Sequence, residues 1–93
     1  MKFIKRIVGR GILMADAKPL GQCEFALEVH GDDGKPRTCT GTLSASHEGL
    51  LRAFSSARAS IVRSDTNFEI RIVISDYSGG SGEAFVRVSG PPE

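Results

Sequence analysis

The chain contains no tryptophan, a single tyrosine and only two histidines among its 93 residues. That scarcity weakens the case for the aromatic stacking platforms of single-stranded nucleic-acid binders and leaves few imidazoles for metal or triad chemistry. Neither sign of charge dominates, since twelve Lys and Arg meet eleven Asp and Glu for a net of +1. The balance excludes a strongly basic nucleic-acid binder and an acidic disordered tail. No apolar run approaches the roughly 20 residues of a transmembrane helix. Met1 to Leu13 starts with bases as a signal peptide does, but Gly9, Arg10 and Gly11 break the apolar run before an h-region develops.

Cysteine is also scarce, and its two copies do not suit a disulfide. If the turn Asp32-Asp33-Gly34-Lys35 sets the register of its hairpin, Cys39 falls opposite Glu28. Cys23 then lies further along the strand, roughly 17 Å away at the usual rise, well beyond disulfide reach. Both thiols are expected to be buried and reduced, which suits a cytoplasmic protein.

What the chain does have is alternation. Cys23, Phe25, Leu27 and Val29 fall on every second position, with Gln22, Glu24, Ala26, Glu28 and His30 between them, the period of a strand with one buried face. Arg37 to Ala45 places Cys39, Gly41, Leu43 and Ala45 on one face and Thr38, Thr40, Thr42 and Ser44 on the other. Gly41 in the core-facing set signals close approach by another element, for which the following helix is the candidate. Ser46 can cap that helix over residues 46–57, with Leu50, Leu51, Phe54 and Ala57 as its apolar stripe. A second hairpin follows, Ala59 to Arg63 and Phe68 to Ser75, turning at Ser64 to Asn67 and burying Phe68, Ile70, Ile72 and Ile74. The last strand, Glu83 to Val88, points Ala84, Val86 and Val88 inward and Glu83, Phe85 and Arg87 outward.

These elements predict a mainly β member of the α+β class: a small antiparallel sheet or partly open barrel of five to six strands with one short helix between strands. Residues 20–90 form the single domain, 91–93 a tail, and 1–19 a basic leader that is either disordered or an extra strand. The leader carries Lys2, Lys5, Arg6, Arg10 and Lys18 against Asp16, a net of +4 that leaves −3 for the remainder. Phe3, Ile4, Ile7 and Val8 recur at helical spacing opposite those bases, the pattern of a short amphipathic helix for an anionic membrane surface or nucleic-acid phosphate. Lys18-Pro19-Leu20-Gly21 reads as a breaker before the first strand. Met1 and Met14 both stand as candidate starts, and residues 1–13 are expected to be dispensable for folding.

No residue set completes an active site. Cys23, His30, Cys39 and His47 supply zinc-ligand types, but the two histidines sit at opposite ends of a hairpin and cannot converge on one ion. The serine beside His47 is explained by helix capping, and Glu24 and Glu28 share an outward face without an enclosed pocket. Ser78-Gly79-Gly80-Ser81-Gly82 lacks the Gly-Lys-Ser/Thr ending of a phosphate loop and joins two antiparallel strands. No catalytic residue, metal ligand or cofactor is therefore assigned, and nucleic acid is not the expected partner. A hairpin register pairing Val73 with Phe85 would place two apolar side chains together on an outward face. The favoured function is a non-enzymatic binding or assembly module acting through a sheet face or edge on a protein partner or a second copy. The alternatives are a small ligand-binding or enzymatic barrel with its pocket between sheet and helix, and nucleic-acid or membrane contact through the leader.

Overall fold

The computed structural model describes residues 2–33, 35–77 and 82–90. The described chain runs β1 (Lys2–Ala15), β2 (Lys18–Asp32), β3 (Lys35–Ser44), α1 (His47–Phe54), β4 (Ala59–Arg63), β5 (Glu69–Asp76) and β6 (Glu83–Val88). All neighbouring strands are antiparallel, and the order β1-β2-β3-β6-β5-β4 closes into a barrel. Closure occurs where Gly11, Ile12, Leu13, Met14 and Ala15 of β1 pair with Arg63, Val62, Ile61, Ser60 and Ala59 of β4. The fold is the expected mainly β, α+β domain, with its barrel closed. Gly34 of the β2–β3 turn, Ser78 to Ser81 of the glycine-rich loop and the tail 91–93 lie outside the described residues.

The helical pattern of the leader is corrected: Lys2–Ala15 is a strand. A bulge explains the deceptive spacing. Phe3 pairs with His30 and Lys5 with Val29, leaving Ile4 as the extra residue. The bulge shifts the alternation, so that Ile4 and Ile7 both meet the core although three positions separate them. The supposed breaker is also strand, because Lys18 and Pro19 pair with Ala15 and Met14. Between them Asp16 (φ 51°) and Ala17 (φ 67°) make a two-residue turn with both residues left-handed.

Two registers are corrected for the same kind of reason. A shift between His30 and Gly31 puts Cys39 opposite Val29 instead of Glu28, aligning two buried side chains. Another between Ile74 and Asp76 puts Val73 opposite Arg87 and Phe85 opposite Asp76, so Val73 and Phe85 are diagonal neighbours rather than a direct pair.

The interior is one cluster built from every strand and the helix: Ile7 and Leu13 of β1, Phe25, Leu27 and Val29 of β2, Leu43 of β3, Leu50 of α1, Ile61 of β4, Ile70 and Ile72 of β5, Val86 of β6. Phe68 and Ile74 are only partly buried, at its margin. Ile72 is flanked across the ladders by Ala59 and Val88. These neighbours are too small to fill a hole, so Ile72→Ala should lower unfolding free energy by about 2 to 4 kcal/mol. A chemical denaturation midpoint equal to that of the wild type would mean that the strand's buried face is misassigned.

Ser46 caps α1 by accepting the Gly49 N–H at 3.1 Å, and Glu48 in the first turn pairs with Arg52 in the last at 3.0 Å. The helix lies over the barrel end that carries the β1–β2 turn. Its buried face is Gly49, Leu50 and Ala53, which corrects the expected stripe: Leu51 and Phe54 are half-exposed and Ala57 lies beyond the helix. Gly49 faces Leu13 and the Leu20 carbonyl across this contact, and a Cβ there would stand 3.0 Å from the capping Ser46 hydroxyl. The element crowding Gly41 is likewise not the helix but the backbone of β2.

Candidate functional site

The outer wall of the barrel carries the features most like a recognition site. Side chains of adjacent strands in register stand beside one another on the same face. On this face Val8 pairs with Ala26, Ala26 with Thr42, and Thr42 with Phe85, so one row crosses β1, β2, β3 and β6. Val8 is 64% exposed and Phe85 56%, and Val73, 44% exposed, extends the row diagonally onto β5. A polar row borders it on each side: Arg6, Glu28, Thr40 and Arg87 on one, Arg10, Glu24, Ser44 and Glu83 on the other. Arg10 and Glu24 make an ion pair at 3.4 Å.

This face is not flat. A groove of about 340 Å³ runs between Val8, Arg10, Glu24, Ala26, Thr42 and Ser44. It shares Arg10, Glu24 and Ser44 with a larger one of about 490 Å³ that extends to Ile12, Gln22, Ser46 and Ser64. Gly9, between Val8 and Arg10, turns its missing side chain inward, where a Cβ would stand 3.1 Å from the buried Phe25 ring. The Arg63 guanidinium lies over that ring, 5.9 Å from its centroid. Arg63 is held in turn by two hydrogen bonds to Asp65, at 3.1 and 2.8 Å, which keep the Asp65 carboxyl below its usual pKa.

The four leader bases do not gather on one side of a helix. Lys2, Lys5, Arg6 and Arg10 are spread along β1, all exposed, with Arg6 and Arg10 in the polar rows that border the apolar one. The sequence pattern found Val73 and Phe85 but missed Val8 and Ala26, because only the β1–β2 register brings β1 beside the rest of the row.

Other clusters offer less chemistry. Burial pushes the Cys23 thiol up to about 11 and raises that of Cys39, so both stay protonated and unreactive at neutral pH. Both are free, and no group of His, Cys, Asp and Glu among the described residues can hold a metal ion. His30 is half-buried, edge-on to Phe3 with centroids 5.7 Å apart. The exposed His47 hydrogen bonds through Nδ1 to the Tyr77 hydroxyl, and Phe54 flanks the same tyrosine ring. The Ser60 hydroxyl donates to Glu69 at 3.0 Å, in a groove of about 420 Å³ on the β4–β5 face. Leu13 and Leu50 are buried in the core beneath the helix, and a small open depression of about 190 Å³ lies between β2 and the helix, lined by Pro19, Leu20, Ser46, Glu48, Gly49 and Arg52. No helix among the described residues is long and apolar enough to cross a membrane. Compared with known protein families, curated proteins and solved structures, the chain shows no match to any of them.

Proposed function

We propose that this protein is a binding or assembly module whose outer barrel face docks a protein partner, with a second copy of the chain as the first partner to test. One observation carries the reading: a row from Val8 through the part-buried Ala26 and Thr42 to Phe85, with an exposed apolar side chain at each end and polar rows on both sides. Large apolar side chains surrounded by a polar rim are the usual anatomy of a protein interface. The two free, buried thiols fit a reducing, cytoplasmic setting for this activity.

Phe85 is the anchor of the row, so Phe85→Ser is the informative change. It should alter monomer stability by less than about 1 kcal/mol, because the ring is largely solvated. Association should weaken by about 2 kcal/mol or more, roughly thirtyfold in Kd. Sedimentation velocity across a concentration series, with thermal melts of both proteins, reads the two effects separately. A wild type that stays monomeric while Phe85→Ser melts markedly lower would assign Phe85 to the monomer's own core and remove the docking reading.

A further inference from the structure

The barrel wall is incomplete along half of β1. Gly11 to Ala15 pair with β4, and the Arg10 carbonyl accepts the Ser64 N–H at 3.0 Å, but from Lys2 to Gly9 the described strands pair β1 only on its β2 side. Backbone groups alternate in direction along a strand. With the Arg10 carbonyl turned away from β2, the N–H and C=O of Val8 and Arg6 also face the open edge. Edges of this kind are templates for an added strand unless something blunts them. The other edge of the same sheet, Lys35 to Cys39 of β3, is blunted: Pro36 has no N–H to offer, and Arg37 is tied to Asp32 at 2.9 Å. The edge of β1 has a bulge at Ile4 and basic side chains, which resist a like-charged strand, but from Lys5 to Gly9 its pairing is regular and without proline, and both Arg6 and Val8 are exposed on it.

The chemistry of this edge selects its occupant. Every ionisable residue of β1 is basic: Lys2, Lys5, Arg6 and Arg10. A second copy pairing β1 against β1 would bring together two strands whose ionisable residues are all basic, which is unfavourable whatever the register. Across the sheet, the row inward from Arg6 continues with Glu28, and the row inward from Val8 with Ala26. An added strand that extends both rows therefore needs an acidic residue beside Arg6 and an apolar one beside Val8. We infer that the Lys2 to Gly9 edge of β1 accepts an extended segment of a partner protein by strand addition, antiparallel, with the pattern apolar, any residue, acidic. This edge adjoins the Val8 end of the proposed docking face, but its test reads backbone pairing at Arg6 and Val8 and does not involve Phe85.

The test is a titration of the isotope-labelled full chain at low salt with the capped peptide Thr-Val-Thr-Glu-Glu-Val-Thr, and with the same peptide carrying Lys for Glu. The acidic peptide should bind several-fold tighter, the effect of exchanging an attractive for a repulsive cross-strand pair opposite Arg6. It should slow amide hydrogen exchange at Arg6 and Val8, and Arg6→Glu, a surface change, should cancel or invert the preference. Equal affinity for the two peptides would overturn the proposal, as would unprotected Arg6 and Val8 amides in the bound state. Protection of the same amides without peptide, in step with self-association, would show that the edge serves a second copy and would equally overturn it.

Discussion

Removing residues 1 to 13 should abolish cooperative unfolding altogether. β1 is hydrogen-bonded to β2 over most of its length and closes the barrel against β4 through Gly11 to Ala15. Its loss takes Ile7 and Leu13 out of the core and leaves the paired edges of β2 and β4 bare at once. Two exposed edges beside an opened core invite aggregation. A domain of this size holds only about 5 to 15 kcal/mol of net stability, less than one wall of a closed barrel supplies. Circular dichroism on heating should show no sigmoidal transition for the truncated chain, and its amide spectrum should lose dispersion. A cooperative melt within a few degrees of the full chain would show that β2 to β6 close without β1. It would also return the Lys2 to Gly9 edge to the status of an appended arm.

The sequence taken alone favours the opposite outcome, and the reason lies in two local irregularities. The bulge at Ile4 converts a strand's alternation into Ile4 and Ile7 at helical spacing, so an amphipathic helix is the simplest pattern to see. The turn that joins β1 to β2 is equally hidden. Two-residue hairpins with both residues left-handed are normally marked by Asn-Gly or Asp-Gly, but here the second position is Ala17 at φ 67°. An alanine in that region is strained by about 1 to 2 kcal/mol, a cost the long β1–β2 pairing offsets and no sequence pattern announces. By contrast the buried faces of β2, β5 and β6 were legible from regular alternation, although the irregularities that set the β2–β3 and β5–β6 registers were not. The second turn was legible as well, since Asn67 takes the left-handed conformation its residue type favours. The proposed docking face was half visible for the same reason. Phe85 and Val73 stand out as apolar residues on outward positions, whereas Val8 joins them only through a strand that the sequence disguises.

Gly41 gives the second large effect. Gly41→Ala should destabilise the protein by about 3 kcal/mol, at the upper end of what overpacking usually costs. A Cβ built there would lie 1.9 Å from the Ala26 carbonyl oxygen and 2.8 Å from the Leu27 Cα. Both atoms belong to the backbone of β2, so no side chain can rotate away. Relief requires moving β3 off β2 beside Leu27 and Leu43, two fully buried residues in the centre of the core. Gly90→Ala is the matching control, because nothing lies within 4 Å of its added methyl and the change reduces only the freedom of the unfolded chain. Denaturant titration of the two variants should give a large fall in midpoint for Gly41→Ala and none for Gly90→Ala. Equal midpoints would mean that β3 can slide along β2 at small cost. The cross-strand register placing Thr42 between Ala26 and Phe85, and with it the row that links Val8 to Phe85, would then not be fixed by the fold.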